Sequence, residues 1–157
     1  MKSLLVIGAG GHGRVVKEIA QDIGYEKIDF LDDNNPNAIG KIKDLAGFKE
    51  YHEAIVSIGN NKLRKELLDM LEQLKYCIPV LIHPTAYISR SAFIDVGTVI
   101  QPKVVVNANT KIGKGSIISV GAIIDHDATL GKCVHINAGA IVKAGGQVKD
   151  LEKLEDW

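Results

Sequence analysis

The sequence predicts two architectures in one chain: a small Rossmann-like parallel α/β unit, followed by a short parallel β-helix. Three observations carry this. A glycine-closed aliphatic run opens a strand–helix–strand pattern near the N-terminus. Past Pro79 an aliphatic residue recurs at every sixth position. The length, 157 residues, accommodates one mononucleotide-sized unit and a short prism, and excludes a full two-half dinucleotide fold with a substrate domain.

Taken in order, residues 3–7 form a continuous aliphatic run, the mark of a strand covered on both faces. Residues 12–23 place Val15, Val16, Ile19, Ala20 and Ile23 at helical spacing, with Gly24 as the stop. Residues 27–31 read as a second strand, 32–36 as a polar loop and 54–58 as a third strand. Residues 61–76 read as an amphipathic helix through Leu63, Leu67, Leu68, Leu71 and Leu74. Parallel strands need crossover connections, so this order implies a small α/β unit over residues 1–80.

From Ile82 the aliphatic positions run Ile88, Ile94, Ile100, Val106, Ile112, Ile118, Ile124, Leu130, Ile136, Val142 and Val148. Four residues after each up to Val142 stands a small or β-branched residue, as at Ala86, Thr98, Ser116, Ala128 and Gly146. No helix or ordinary strand has this period. It is the hexapeptide repeat of a parallel β-helix, with aliphatic residues inside the prism and small residues where the next face turns in. The repeat is assigned to residues 81–148, between three and four coils. Glu152 in the small-residue slot makes Leu154 a chance match, and residues 149–157 read as a charged helix or frayed tail. Such a prism exposes strand edges and an apolar end, which association or a capping tail must protect.

The charge balance, 19 basic against 19 acidic side chains, provides no field that would draw nucleic acid or anionic lipid. Small molecules or copies of the chain are the expected partners. No segment approaches the ~20 apolar residues of a membrane-spanning helix, and the N-terminus lacks the long apolar stretch of a signal peptide. Cys77 and Cys133 have neither metal-type spacing nor a disulfide pattern. No metal is expected; both thiols are expected to be buried, in a reducing cytoplasm.

Two clusters carry chemistry. Gly8-x-Gly10-x-x-Gly13 follows a strand, opens a helix and has Asp32 and Asp33 about twenty residues on, the pattern of a phosphate-binding turn. With only one mononucleotide-sized half present, a nucleotide sugar suits it better than a dinucleotide. In the repeat, His126 stands between Asp125 and Asp127. Imidazole titrates near neutrality and serves as a general base, and a carboxylate on its far nitrogen fixes the tautomer.

Together with Phe30-Leu31-Asp32-Asp33, Ile58-Gly59-Asn60-Asn61, Arg64, Ile82-His83-Pro84, Gly131 and His135, these motifs resemble the sialic acid O-acetyltransferase and UDP-4-amino-sugar N-acetyltransferase family. The resemblance runs from Leu5 to about Gly146. It implies a left-handed β-helix, a homotrimer with active sites at subunit interfaces, and acetyl transfer from acetyl-CoA to the amine of a UDP-linked amino sugar. It implies His126 as the base and Asp127 as its partner, with Asp125 as the alternative. Gly10, Gly11, His12, Asp32, Asp33, Gly59 and Asn60 are implied to receive the UDP-sugar, and His135, Ala144 and Gly145 the coenzyme. Sialic acid, serine or another hydroxyl acceptor is the alternative substrate, and a catalytically silent nucleotide-sugar-binding protein is the rival function. Where relatives often carry asparagine, seven residues before the base, this chain has Ser119.

Overall fold

The computed structural model describes residues 2–156. The chain divides into two compact units, with the boundary between Pro79 and Val80.

The first unit holds three parallel strands, β1 (Ser3–Ile7), β2 (Lys27–Leu31) and β3 (Glu53–Val56), in the order β2-β1-β3. The central strand β1 is sequestered from Leu4 to Ile7, as its uninterrupted aliphatic run requires. Helix α1 (Gly11–Asp22) buries Gly13, Val16, Ile19 and Ala20 along one face. Helix α2 (Asn61–Gln73) buries Arg64, Leu67, Leu68 and Leu71, and the Asn60 side chain caps it by accepting from the Leu63 amide at 2.9 Å. Each helix thus presents one stripe inward and its charges outward, Arg64 of α2 excepted.

The elements depart from the predicted ones at their ends. Helix α2 stops at Gln73 rather than residue 76, because Lys75 takes a left-handed backbone conformation and the Tyr76 amide turns back to the Leu71 carbonyl. Tyr76 is thereby buried and donates to the Leu45 carbonyl, within a 3-10 turn (Ile42–Gly47) that no sequence period announces. Leu63, placed on the apolar stripe by spacing, is 41% exposed, since the buried face runs through Arg64, Leu67, Leu68 and Leu71 and leaves Leu63 and Met70 outside it. Cys77, expected to be buried, is exposed, whereas Cys133 is buried. The Cys77 backbone bonds to His52 and Ala54 beside β3, and a single bridged residue leaves its side chain outside.

The second unit is a parallel β-helix. Two-residue strands recur every six residues from Leu81–Ile82 to Lys153–Leu154 and stack into three sheets, one of five strands and two of four. Each strand pairs with the one 18 residues on: Ile82 with Ile100, Ile100 with Ile118, Ile118 with Ile136. The second residue of each strand points inward, and these residues with Val104, Ala122, Ala128, Val134 and Ala140 make one continuous apolar core. Complete burial of each such aliphatic side chain contributes about 1.5–3 kcal/mol.

The repeat runs beyond its predicted end. Lys153–Leu154 pairs in parallel with His135–Ile136, and Leu154 packs on the prism core. The assignment of 149–157 as a helix or frayed tail is therefore corrected over the described residues: there are four coils and the first face of a fifth. The register residue decides whether a strand forms. Glu152 is exposed, so its long side chain leaves the prism instead of filling the slot.

From Gly97 onward the corners repeat as regularly as the strands. From Gly97 to Leu151 every sixth residue has a positive φ: glycine at 97, 115, 121, 139 and 145, but Lys103, Asn109, Asp127, Cys133 and Leu151 at the others. L-residues sustain this conformation at a cost of roughly 1–2 kcal/mol, least for Asn and Asp. Lys103 is exposed, so Lys103→Gly removes that cost and loses little packing. Urea denaturation is expected to show a gain of up to about 1 kcal/mol, reduced by glycine's greater unfolded-state entropy. By contrast, Ala128→Leu, in a fully buried slot, is expected to lose about 1–3 kcal/mol.

Candidate functional site

The first cluster lies at the carboxyl ends of β1, β2 and β3, where open α/β sheets bind their ligands. Gly8 and Gly13 are required by the fold. Gly8 has φ +108° and sits 2.8 Å from the Ile58 side chain at its hypothetical Cβ, while a Cβ on Gly13 would enter the Gly8 carbonyl. Gly10 and Gly59 meet nothing within 4 Å and have no positive φ, so packing does not demand glycine at either. Gly10 is the N-cap of α1, a position that favours glycine, and a bare backbone at either residue also admits close approach from outside the fold.

The two acidic residues hold this loop in different ways. Asp32 Oδ2 accepts from the Ala9 amide at 2.8 Å, and Oδ1 accepts from the amides of Asn34 and Asn35 at 2.8 and 2.9 Å. The Ala9 amide, then that of Asn34, holds the Asp32 carboxyl below the usual carboxylate range. Asn35 returns a bond from Nδ2 to the Ala9 carbonyl at 3.2 Å, so both polar groups of Ala9 are tied to the β2 loop. Asp33 accepts from the Ile42 amide at 3.0 Å through Oδ1. An open cavity of about 700 Å³ adjoins, lined among others by Ala9, Arg14, Lys17, Asp29, Phe30 and Asn35. Sequence reasoning missed Arg14, Lys17 and Asn35. The two cations lie on the face of α1 away from its buried stripe, where any solvated charge would also stand. His12 is half-buried in the first turn of α1.

The second cluster sits on a corner of the prism, between the strands Ile123–Ile124 and Thr129–Leu130. His126 Nδ1 lies 2.7 Å from Asp127 Oδ2. The Asp127 hydrogen bond pushes the imidazole pKa up, and the same bond pulls the Asp127 carboxyl down. Asp125 is engaged elsewhere: its Oδ1 accepts from the His126 amide at 2.7 Å and from Asn107 Nδ2 at 3.1 Å, which together hold its pKa low. The open choice of carboxylate partner thus falls to Asp127, whose left-handed backbone places its side chain beside its neighbour's ring.

Asn107 and Asn109 stand one coil before Asp125 and Asp127, and Asn109 helps hold the Asp127 carboxyl low. Both were missed, although the 18-residue coil read along the sequence would have found them. Ala108 and Ala144 flank His126 one coil to either side, as shown by the bonds from Asp127 N to Ala108 O and from Gly145 N to His126 O, both 2.9 Å. Small residues on both sides leave the ring accessible. Ala144 and Gly145 are thus brought to the corner of His126.

His135 is not. It begins a strand of the five-stranded sheet, whereas His126 lies at the junction of the two four-stranded sheets. The His135 Nε2 is 3.2 Å from Ser119 Oγ, so the serine found where relatives often carry asparagine is the partner of this second histidine. Among the described residues, no group of three or more His, Cys, Asp or Glu is arranged to hold a metal ion, and no helix is long and apolar enough to cross a membrane.

Comparison with known proteins places this geometry. Residues 3–71 match the family described as PglD N-terminal domain. The chain is 31% identical over 117 residues to UDP-N-acetylbacillosamine N-acetyltransferase of Bacillus subtilis (strain 168), covering 64% of this chain and 51% of that protein. It therefore spans about half the length of that curated relative. The acetyltransferase domain of PglB from Neisseria gonorrhoeae FA1090, solved in complex with acetyl coenzyme A, superposes with a TM-score of 0.85 at 40% identity, over 90% of this chain and 73% of that one. A mutant perosamine N-acetyltransferase from Caulobacter crescentus, solved with CoA and GDP-perosamine, superposes with a TM-score of 0.78 at 27% identity, over 96% and 90%. With both units matched in order and the glycine-rich turn, the coils and the His–Asp corner in place, the chain belongs to the sialic acid O-acetyltransferase and UDP-4-amino-sugar N-acetyltransferase family of left-handed β-helix proteins.

Proposed function

We propose that this chain transfers an acetyl group from acetyl-CoA to the amine of a UDP-linked amino sugar, with His126 as general base. The single observation that carries the reading is the His126–Asp127 pair, 2.7 Å apart on an exposed corner with alanine on either side. The complexes of relatives with acetyl coenzyme A and with a nucleotide-linked sugar support the two substrate classes.

In this reading, His126 Nε2 accepts a proton from the sugar nitrogen as that nitrogen attacks the thioester carbonyl. The C–N bond forms, the C–S bond breaks, and the proton held by His126 goes to the departing thiolate. Asp127 fixes the tautomer that leaves Nε2 free and stabilises the imidazolium that forms. Ala144 and Gly145 admit the pantetheine arm close to the backbone. Gly10, Gly11, His12, Asp33, Gly59 and Asn60 line the nucleotide-sugar site. Asp32 acts there through the loop that it ties down. Cys77 and Cys133 remain thiols in the cytoplasm.

The assembly that fits is a homotrimer. Tyr87, Val105 and Ile123 stack in register on one outer face, and all three are exposed, Tyr87 by 59%. Another prism covers that apolar ladder in this assembly, and His126 of one subunit and His135 of a neighbour approach the same coenzyme.

The deciding experiment is a thiol-release assay with acetyl-CoA and a UDP-4-amino sugar, with sialic acid and serine as competing acceptors; release only with a hydroxyl acceptor would reassign the substrate. His126→Ala is expected to lower turnover by ~10²–10⁴-fold with nucleotide-sugar affinity retained. Asp127→Gly suits the left-handed corner and preserves folding while removing the carboxylate. The imidazolium then loses its partner, the His126 pKa falls, and the acidic limb of the kcat/KM profile moves to lower pH as the rate drops; an unmoved limb would assign that ionisation to another group. His126→Ala and His135→Ala chains, each inactive, are expected to recover roughly a quarter of wild-type sites when refolded together, through mixed trimers. No recovery would place both histidines on one chain's own site.

A further inference from the structure

Arg64 is 1% exposed, among the most deeply buried large side chains of the first unit. It lies in the first turn of α2, where a side chain ordinarily reaches solvent. Its Nη1 donates to the Ile58 carbonyl at 2.9 Å and the Gly59 carbonyl at 3.3 Å, and its Nη2 donates to Asn61 Oδ1 at 2.7 Å. The Arg64 amide donates to the Asn60 carbonyl at 2.9 Å. One residue therefore gathers the carbonyls of three successive residues and the side chain of a fourth.

The consequence follows from peptide geometry. In a planar trans peptide, C=O and the next N–H point in opposite directions, and no cis bond is present. With the Ile58 and Gly59 carbonyls aimed inward at the guanidinium, the amides of Gly59 and Asn60 are aimed away from it. Both residues are exposed, and nothing lies within 4 Å of where a Gly59 Cβ would stand. Carbonyls turned toward a protein donor stay there only while it engages them, so without Arg64 these part-buried peptides would rotate toward water and withdraw the amides. Lysine places one ammonium where the planar fork engages three acceptors.

We propose that Arg64 is a positioning residue for the nucleotide sugar: it turns the Gly59–Asn60 peptides so that they present N–H groups to the acceptor oxygens of the nucleotide moiety. This rests on the nucleotide-sugar reading above and extends it to a residue that meets no substrate itself. The role is specific to one substrate, because the acetyl donor is assigned to the prism.

The test compares Arg64→Lys and Arg64→Met with the parent chain, by calorimetric titration with UDP and with a UDP-4-amino sugar and by steady-state kinetics for both substrates. Thermal unfolding reports folding. The expected result is a cooperative melt for Arg64→Lys, a fall of about tenfold or more in affinity for both nucleotide ligands, and a matching rise in KM for the sugar. The acetyl-CoA KM and the kcat at saturation stay within about twofold of the parent. If Arg64→Met does not fold, Arg64→Lys alone decides. Unchanged nucleotide affinity in a folded variant overturns the proposal, as does a parallel loss for acetyl-CoA or failure of Arg64→Lys to fold, either of which makes the residue a general structural element. A parent chain that binds acetyl-CoA but neither UDP nor the UDP-sugar overturns the underlying reading, and the proposal with it.

Discussion

The whole second unit depends on one constraint: each 18-residue coil must close so that its backbone groups meet those of the next coil in register. The bonds from Leu81 N to Thr98 O, Val99 N to Ser116 O and Ile117 N to Val134 O repeat this at 2.9–3.0 Å up the prism. Closure in three short faces needs sharp corners, and from Gly97 onward a left-handed residue stands at every sixth position to make them. The aliphatic core, the small-residue slots and the placement of the His126 corner all follow from that requirement. So does the position of Asp127. Its carboxylate reaches the adjacent imidazole because it occupies a corner position that asparagine and aspartate tolerate better than other L-residues.

The His126 corner thus takes its polar arrangement from scaffold geometry. Asp125 spends its carboxylate on the His126 amide and on Asn107, while Asp127 spends its own on the ring. Two carboxylates beside one histidine have separate tasks, one holding backbone and the other holding charge. In the first unit the same division holds for Asp32, committed to three amides, and for Arg64, committed to carbonyls. The groups that shape both sites lie just behind the atoms a substrate would meet.

Much of this was legible before any coordinates. The period of six located the strands, because an inward side chain at each face is a sequence-local condition. The glycine-rich turn located the first site for a similar reason: Gly8 and Gly13 answer steric needs created within a few residues or one strand away. What escaped notice was what depends on distance along the chain. Asn107 acts on a residue one coil later, Asn35 closes on Ala9 across the sheet, and Tyr76 reaches the 3-10 turn at Leu45. None has a local periodic signal. Glu152 misled in the other direction, since a long side chain in a small-residue slot breaks the pattern but escapes to solvent and leaves the ladder intact.

By itself the sequence determined the two architectures, the repeat and its phase, and which ionisable side chains stand in the glycine-rich turn and in the repeat, because these rest on side-chain type and spacing. Only the tertiary structure decided which carboxylate partners His126, that His135 stands on a different sheet of the prism with Ser119, and which polar groups are consumed in holding loops. Those outcomes depend on which groups face one another after coils stack and strands pair. A hydrogen bond is directional and short, so partnership is settled by that final geometry and leaves no trace in composition or period.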